Sequence, residues 1–206
     1  MINVELEGRL LTLTLNRPEK ANSLTRLMLE ELDAAVAQAE MKGVRAIVIT
    51  GAGHVFSAGA DLEDARAGLA TDPVWERLSA RIAGLPCLTI AALNGTLAGG
   101  AMGMALACDL RLSVPGAKFF FPVMKLGFLP QPSDPRRLAA IVGPSRAKML
   151  LMAGARIDAA EACAWGLVDR IVPAETLLSE ARALSADAAG ATADHLAAIK
   201  RLVPLV

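Results

Sequence analysis

Apolar and polar positions along the chain change period several times, and each change marks a new element. Residues 2–8 (INVELEG) and 9–16 (RLLTLTLN) predict short strands; in the second, Leu11, Leu13 and Leu15 alternate with Thr12 and Thr14. The period then becomes helical, with Leu24, Leu27, Met28, Leu32, Ala35, Val36 and Ala39 on one stripe. VRAIVIT (44–50) predicts a buried strand, followed by the loop GAGHVFSAGAD (51–61). Asp72 before Pro73 predicts a helix start, because Asp caps and Pro suits the first turn; Gly84 ends that helix. CLTIAAL (87–93) is the next strand, stopped by the turn signal Asn94-Gly95, and LRLSV (110–114) is a further one. Beyond Lys125 the pattern is helical. Asp134-Pro135 opens one helix, Asp158 with Glu161 resembles a capping box, and residues 173–190 make a third. Strands and helices alternate to about residue 120 and helices dominate afterwards, which predicts an α/β core with a helical C-terminal region.

One stretch complicates this reading. Between Arg81 and Asp109 no side chain is charged, and Gly95, Gly99 and Gly103 repeat the spacing used where membrane helices pack. A spanning helix would have to pass through Pro86, Asn94-Gly95 and Gly99-Gly100, and no basic cluster flanks it. Strand, turn and a helix opening at the glycine pair account for the same residues, so no membrane span is expected. The 206 residues are 54% hydrophobic but only 3% aromatic, and 21 Lys plus Arg balance 21 Asp plus Glu. That balance, without any basic block, gives no pull toward nucleic acid. The positive mean hydropathy points to apolar surface covered by other subunits. Cys87, Cys108 and Cys163 lack CxxC spacing and read as reduced core residues. The opening MINVELEGRL has neither a basic leader nor an apolar h-region, so a cytoplasmic location is expected.

Gly99-Gly100 has a chemical reading beside the packing one. A helix N-terminus offers unpaired N–H groups, and glycine lets an oxygen approach them closely. The loop 53–61 (GHVFSAGAD) likewise follows a buried strand and places small residues before a short helix. Two such loops supply one N–H each to a single carbonyl oxygen, the requirement of an oxyanion hole.

The motifs NRPEKANSLT (16–25), VRAIVITGAGHVFSAGADL (44–62), PCLTIAALNGTLAGGAMGMALACDLRL (86–112), AKFFFP (117–122) and residues 136–173 together resemble the crotonase, or enoyl-CoA hydratase/isomerase, family over essentially the whole chain. The resemblance implies a spiral of ββα units at residues 1–134 carrying an acyl-CoA site, then a helical C-terminal region at 135–206. It implies assembly as homotrimers or hexamers. The ligand implied is an acyl-CoA thioester, with coenzyme A as part of the substrate and no separate cofactor or metal. Its carbonyl would lie between the backbone N–H groups of Ala60 and Gly100. Lys20, Ala21, Leu24, Ser57, Ala58, Asp61 and Leu62 would border the CoA. Terminal helices beyond KRLVPLV would enclose the CoA and contact a neighbour, and Lys200 would reach the CoA phosphates.

The departures from the family pattern concern proton handling. The two hydratase glutamates correspond here to Gly103 and Val123, and a third acidic position used by other members corresponds to Gln131. The carboxylates needed for general acid–base work are therefore missing from all three positions. Substitutes are Asp134, whose Asp-Pro context reads first as a helix cap, and Glu63 and Asp64, which read first as dipole partners of a helix start. His54 in its glycine loop and His195 on the last helix read as surface residues, and Lys125 as a surface lysine beside the pocket segment. His54, Ser57 and Asp61 lack triad spacing, and no nucleotide-binding glycine motif occurs. Two readings stand: an enzyme of isomerase or decarboxylase type working through an oxyanion hole, and a non-catalytic acyl-CoA binder or carrier of the same fold.

Overall fold

A computed structural model describes residues 1–203, apart from the side chain of Glu40. The elements in chain order are β1 (Ile2–Glu7), β2 (Leu10–Leu15), α1 (Arg26–Met41), β3 (Ala46–Gly51), β4 (Val55–Ser57), α2 (Leu62–Arg66), α3 (Val74–Gly84), β5 (Leu88–Leu93), β6 (Thr96–Ala98), α4 (Ala101–Ala107), β7 (Leu110–Ser113), β8 (Lys118–Phe120), α5 (Val123–Leu126), α6 (Asp134–Val142), α7 (Pro144–Leu151), β9 (Arg156–Asp158), α8 (Ala159–Ala164), β10 (Arg170–Ile171), α9 (Leu177–Gly190) and α10 (Ala193–Leu202).

The strands form a six-stranded sheet ordered β1-β2-β3-β5-β7-β10 and a four-stranded sheet ordered β4-β6-β8-β9. Pairing is parallel except for the β1–β2 and β8–β9 pairs. β3, β5 and β7 lie in the first sheet, and each is followed at once by a strand of the second sheet and then by helix. This repeat is the ββα spiral. Its inner strands read as apolar runs because both faces are covered: Ala46 to Thr50 of β3 are all buried. The same covering buries Thr12 in β2, so the predicted alternation of that strand does not translate into an exposed threonine face.

Several predicted elements shift in detail. In α1 the buried stripe is Met28, Leu29, Leu32, Val36 and Ala39, whereas Leu27 is exposed. Leu24 precedes the helix and is fully buried in an isolated bridge to Ala60. Two short strands, β9 and β10, interrupt the region expected to be helical and add to the two sheets. Their pairing is long-range, which local periodicity does not register. α4 is buried at all of its seven positions, so its apolar sequence reflects a core helix. Among the described residues no helix is long and apolar enough to cross a membrane. Cys87, Cys108 and Cys163 are free; burial pushes the Cys87 and Cys108 thiols up to about 11 and about 12.

Candidate active site

Parallel pairing of β4 with β6, and of β6 with β8, brings the C-terminal ends of three strands to one edge. The segments leaving that edge are residues 58–61, residues 99–100 and residues 121–123. Together they line a cavity of about 320 Å³ with Ala65, Trp75, Leu126, Phe128 and Asp134. Crevices beyond the carboxyl ends of parallel strands are common ligand sites in α/β proteins.

The two glycine loops touch backbone to backbone. Gly59 has φ +95° and Gly99 has φ +57°, in the region that glycine occupies without a Cβ penalty. A Cβ on Gly59 would lie 3.0 Å from the Ala98 carbonyl oxygen and 3.5 Å from the Gly100 nitrogen. The first loop is pinned to its neighbours by Leu24, whose N–H donates to the Gly59 carbonyl (2.8 Å) and whose carbonyl accepts from the Asp61 N–H (2.9 Å). The Ser57 hydroxyl donates to the Asn22 carbonyl and accepts from the Gly59 N–H. After this accounting, the N–H groups of Ala60 and Gly100 have no acceptor among the described residues. Backbone donors beside a cavity that lack a protein partner are available to a ligand.

The candidate CoA-bordering residues divide by burial. Ala58 and Leu62 line the cavity and Lys20 is exposed. Ala21 has φ +51° and its carbonyl accepts from the Ala58 N–H. Leu24 and Ser57 are fully buried, so they hold the loop in shape instead of offering a surface. Asp61 caps α2 through the N–H groups of Glu63 and Asp64 and pairs with Arg17 at 2.7 Å. The Arg17 guanidinium holds the Asp61 carboxyl below the usual carboxylate range.

The acid candidates separate clearly. Glu63 is exposed, and the Asp64 carboxylate accepts the Arg26 N–H (2.8 Å); neither lines the cavity. Their position in the first turn of α2 explains them. Asp134 is different, and the cap expected of it is not formed. Ser133 is the N-cap residue of α6, and its N–H and hydroxyl both donate to the Glu76 carboxylate. The Asp134 side chain is fully buried, and neither carboxyl oxygen has a hydrogen-bond partner among the described residues. Burial pushes it up to about 7; Arg137 opposes the shift and Glu76 adds to it.

His54 and His195 are exposed, as is Lys125. Lys200 does not extend toward solvent: its ammonium lies 2.8 Å from both the Cys87 carbonyl and the Asp109 carboxylate. Reading the sequence missed the supporting residues. Asn22 is buried at φ +50°, and its side chain accepts from the Arg17 N–H while donating to the carbonyls of Ala52 and Val55. Trp75 backs Gly100, where a Cβ would lie 3.2 Å from the indole ring. Asn22 within NRPEKANSLT is the available signal for the first; nothing local marks the second.

Comparison with known proteins agrees with this architecture. A family model described as enoyl-CoA hydratase/isomerase matches residues 5–204. The chain is 37% identical over 186 residues to the probable enoyl-CoA hydratase echA8 of Mycobacterium tuberculosis, covering 88% of this chain and 72% of that protein. It is 33% identical over 208 residues to the 1,2-epoxyphenylacetyl-CoA isomerase of Escherichia coli, covering 96% and 79%. The crystal structure of an enoyl-CoA hydratase from Bacillus anthracis superposes with a TM-score of 0.90 at 32% identity, covering 98% of this chain and 81% of that one. The chain belongs to the crotonase, or enoyl-CoA hydratase/isomerase, family.

Proposed function

We propose that the protein is an enzyme acting on acyl-CoA thioesters, with the thioester carbonyl held between the N–H groups of Ala60 and Gly100. The observation that carries this reading is the pair of unpartnered N–H groups on adjoining glycine loops, beside a cavity of otherwise mostly apolar lining. Two fixed donors stabilise the negative charge that develops on the oxygen when the α-carbon loses a proton or a carboxyl group; each such donor contributes about 3 kcal/mol. Isomerase- or decarboxylase-type chemistry through an enolate fits this equipment. Hydration fits less well: it needs one group to activate water and a second to manage the α-carbon proton, Val123 on the cavity wall and Gly103 on α4 supply neither, and Asp134 is the single carboxyl among the described lining residues. Lys20, Ala21, Ala58, Asp61 and Leu62 would border the CoA, which enters as part of the substrate. A cytoplasmic homotrimer or hexamer belongs to the same reading, and the exposed Leu126, Phe128 and Leu129 are surface that assembly would cover.

The test compares a CoA thioester with the matching thioether, in which a methylene replaces the carbonyl. The thioester is expected to bind tightly and the thioether on the order of tenfold or more weakly, as loss of charge-free hydrogen bonds to the carbonyl predicts. Equal affinity would sink the carbonyl site. In a parallel assay of conjugated-thioester absorbance, crotonyl-CoA hydration should be very slow or undetectable; fast hydration would overturn the case against hydratase chemistry.

A further inference from the structure

Asp134 and Gly103 form a matched pair across the α4–α6 contact. A Cβ at Gly103 would lie 2.5 Å from one Asp134 carboxyl oxygen, 3.0 Å from the other and 3.1 Å from the carboxyl carbon. The carboxyl therefore rests against a bare α-carbon, and any side chain at 103 would occupy its place. Asp134 also lines the cavity that holds the Ala60 and Gly100 N–H groups, together with Gln131 and Val123. A fully buried carboxyl with no hydrogen-bond partner is costly to a fold and rare in native interiors, so its retention calls for a use.

We infer that Asp134 is the proton-transferring group of this site, delivered from α6 into space that Gly103 leaves open on α4. This rests on the acyl-CoA reading above. With the thioester carbonyl on the two N–H groups, the Asp134 carboxylate takes a proton from the α-carbon. The C–H electron pair becomes the new carbon–carbon π bond of the enolate, and the carbonyl π pair moves onto the oxygen. Return of the same proton to carbon, at the α position or at the far end of a conjugated dienolate, regenerates the carboxylate. No water, oxidant or second acid is consumed, so the balance closes with one carboxyl.

The surroundings suit that task. The charged groups around Asp134 are Arg137, one turn along α6, and Glu76 on α3, while α4 presents only Gly103 and apolar residues. Arg137 is itself held by the Ser79 hydroxyl (3.0 Å), and Glu76 by the N-terminus of α6. Arg66 is a further cation on the cavity lining. Burial leaves the carboxyl poised to gain or lose its proton at neutral pH, where general acid–base transfer is most efficient.

The experiment follows exchange of the α-hydrogens of butyryl-CoA in deuterated water by proton NMR, alongside the dissociation constant for the same thioester. The protein is expected to exchange them, with a rate that rises through an apparent pKa near neutrality. Asp134→Asn should lose exchange by roughly a hundredfold or more while binding the thioester within a fewfold. Gly103→Ala keeps the carboxyl but displaces it; it should slow exchange as well and move the pH profile. The double variant Gly103→Glu with Asp134→Gly, which returns the acid to α4, should recover part of the exchange. Thioester binding without any exchange, or unchanged exchange in Asp134→Asn, overturns the assignment of Asp134 and leaves the acyl-CoA reading standing. Failure to bind thioester at all overturns both.

Discussion

Two carboxyl groups flank the buried helix α4, and they are treated in opposite ways. Asp109, just after its end, accepts from the Thr89 N–H (2.8 Å), the Thr89 hydroxyl (2.9 Å) and the Lys200 ammonium (2.8 Å). Those bonds join β5 to the start of β7 and tie α10 to both. Asp134, packed on Gly103 in the middle of the same helix, is more deeply buried and has no hydrogen-bond partner among the described residues. A satisfied, ion-paired carboxylate holds elements together; an unsatisfied one weakens the fold and stays reactive. On the assignment proposed for Asp134, the contrast separates scaffold from chemistry on one helix of the chain.

The comparison breaks most visibly in stability against pH. Asp134 holds its proton in the folded state up to about 7, whereas in the unfolded chain it loses it near 3.8. Between those values the folded state binds more protons, so this group makes stability fall as pH rises and its penalty is complete above about pH 7. Asp134→Asn should therefore be more stable than the parent at pH 8, by up to about 4 kcal/mol at 1.36 kcal/mol per pKa unit. The difference should vanish toward pH 4. Urea midpoints at both pH values check this, and a destabilised variant at pH 8 would contradict it.

Asp109→Ala should move stability the other way. Removing the carboxylate leaves the Lys200 ammonium and the Thr89 N–H without their acceptor, a loss of about 2–3 kcal/mol. Thermal or urea unfolding reads it, and thioester affinity of the folded fraction should not change. A variant that unfolds normally but loses the ligand would assign Asp109 to the site. The smallest effect is expected from Glu63→Gln: the side chain is exposed at the first turn of α2 and does not line the cavity. Stability should stay within about 0.5 kcal/mol, and α-hydrogen exchange should be unchanged; a large loss of exchange would restore Glu63 as an acid of the site.

The α/β order, the Asn94-Gly95 turn, the helix starts at Asp72-Pro73 and Asp158, and the break-up of residues 81–110 into strands and short helices instead of one long helix were all legible in sequence. They depend on local signals: period, caps and glycine or proline punctuation. The two glycine loops were legible as a pair because each follows a buried strand and places small residues before a helix; the assignment of Ala60 and Gly100 came only through motif resemblance, since β4 and β6 are three-residue strands with little periodicity.

What tertiary structure alone decided is which residues meet. The Asp-Pro pair marked the start of α6 correctly, but the same signal suggested a cap; the N-cap position falls instead to Ser133, whose side chain makes no capping bond and is held by Glu76, 57 positions earlier in the chain. Gly103 read as the loss of an acid; the fold shows that its missing side chain makes room for Asp134. Lys200 read as a ligand contact, and the fold gives it to Asp109. Local sequence determines which backbone a segment adopts. The state of a buried charge depends on groups brought up from distant segments, and only packing fixes those.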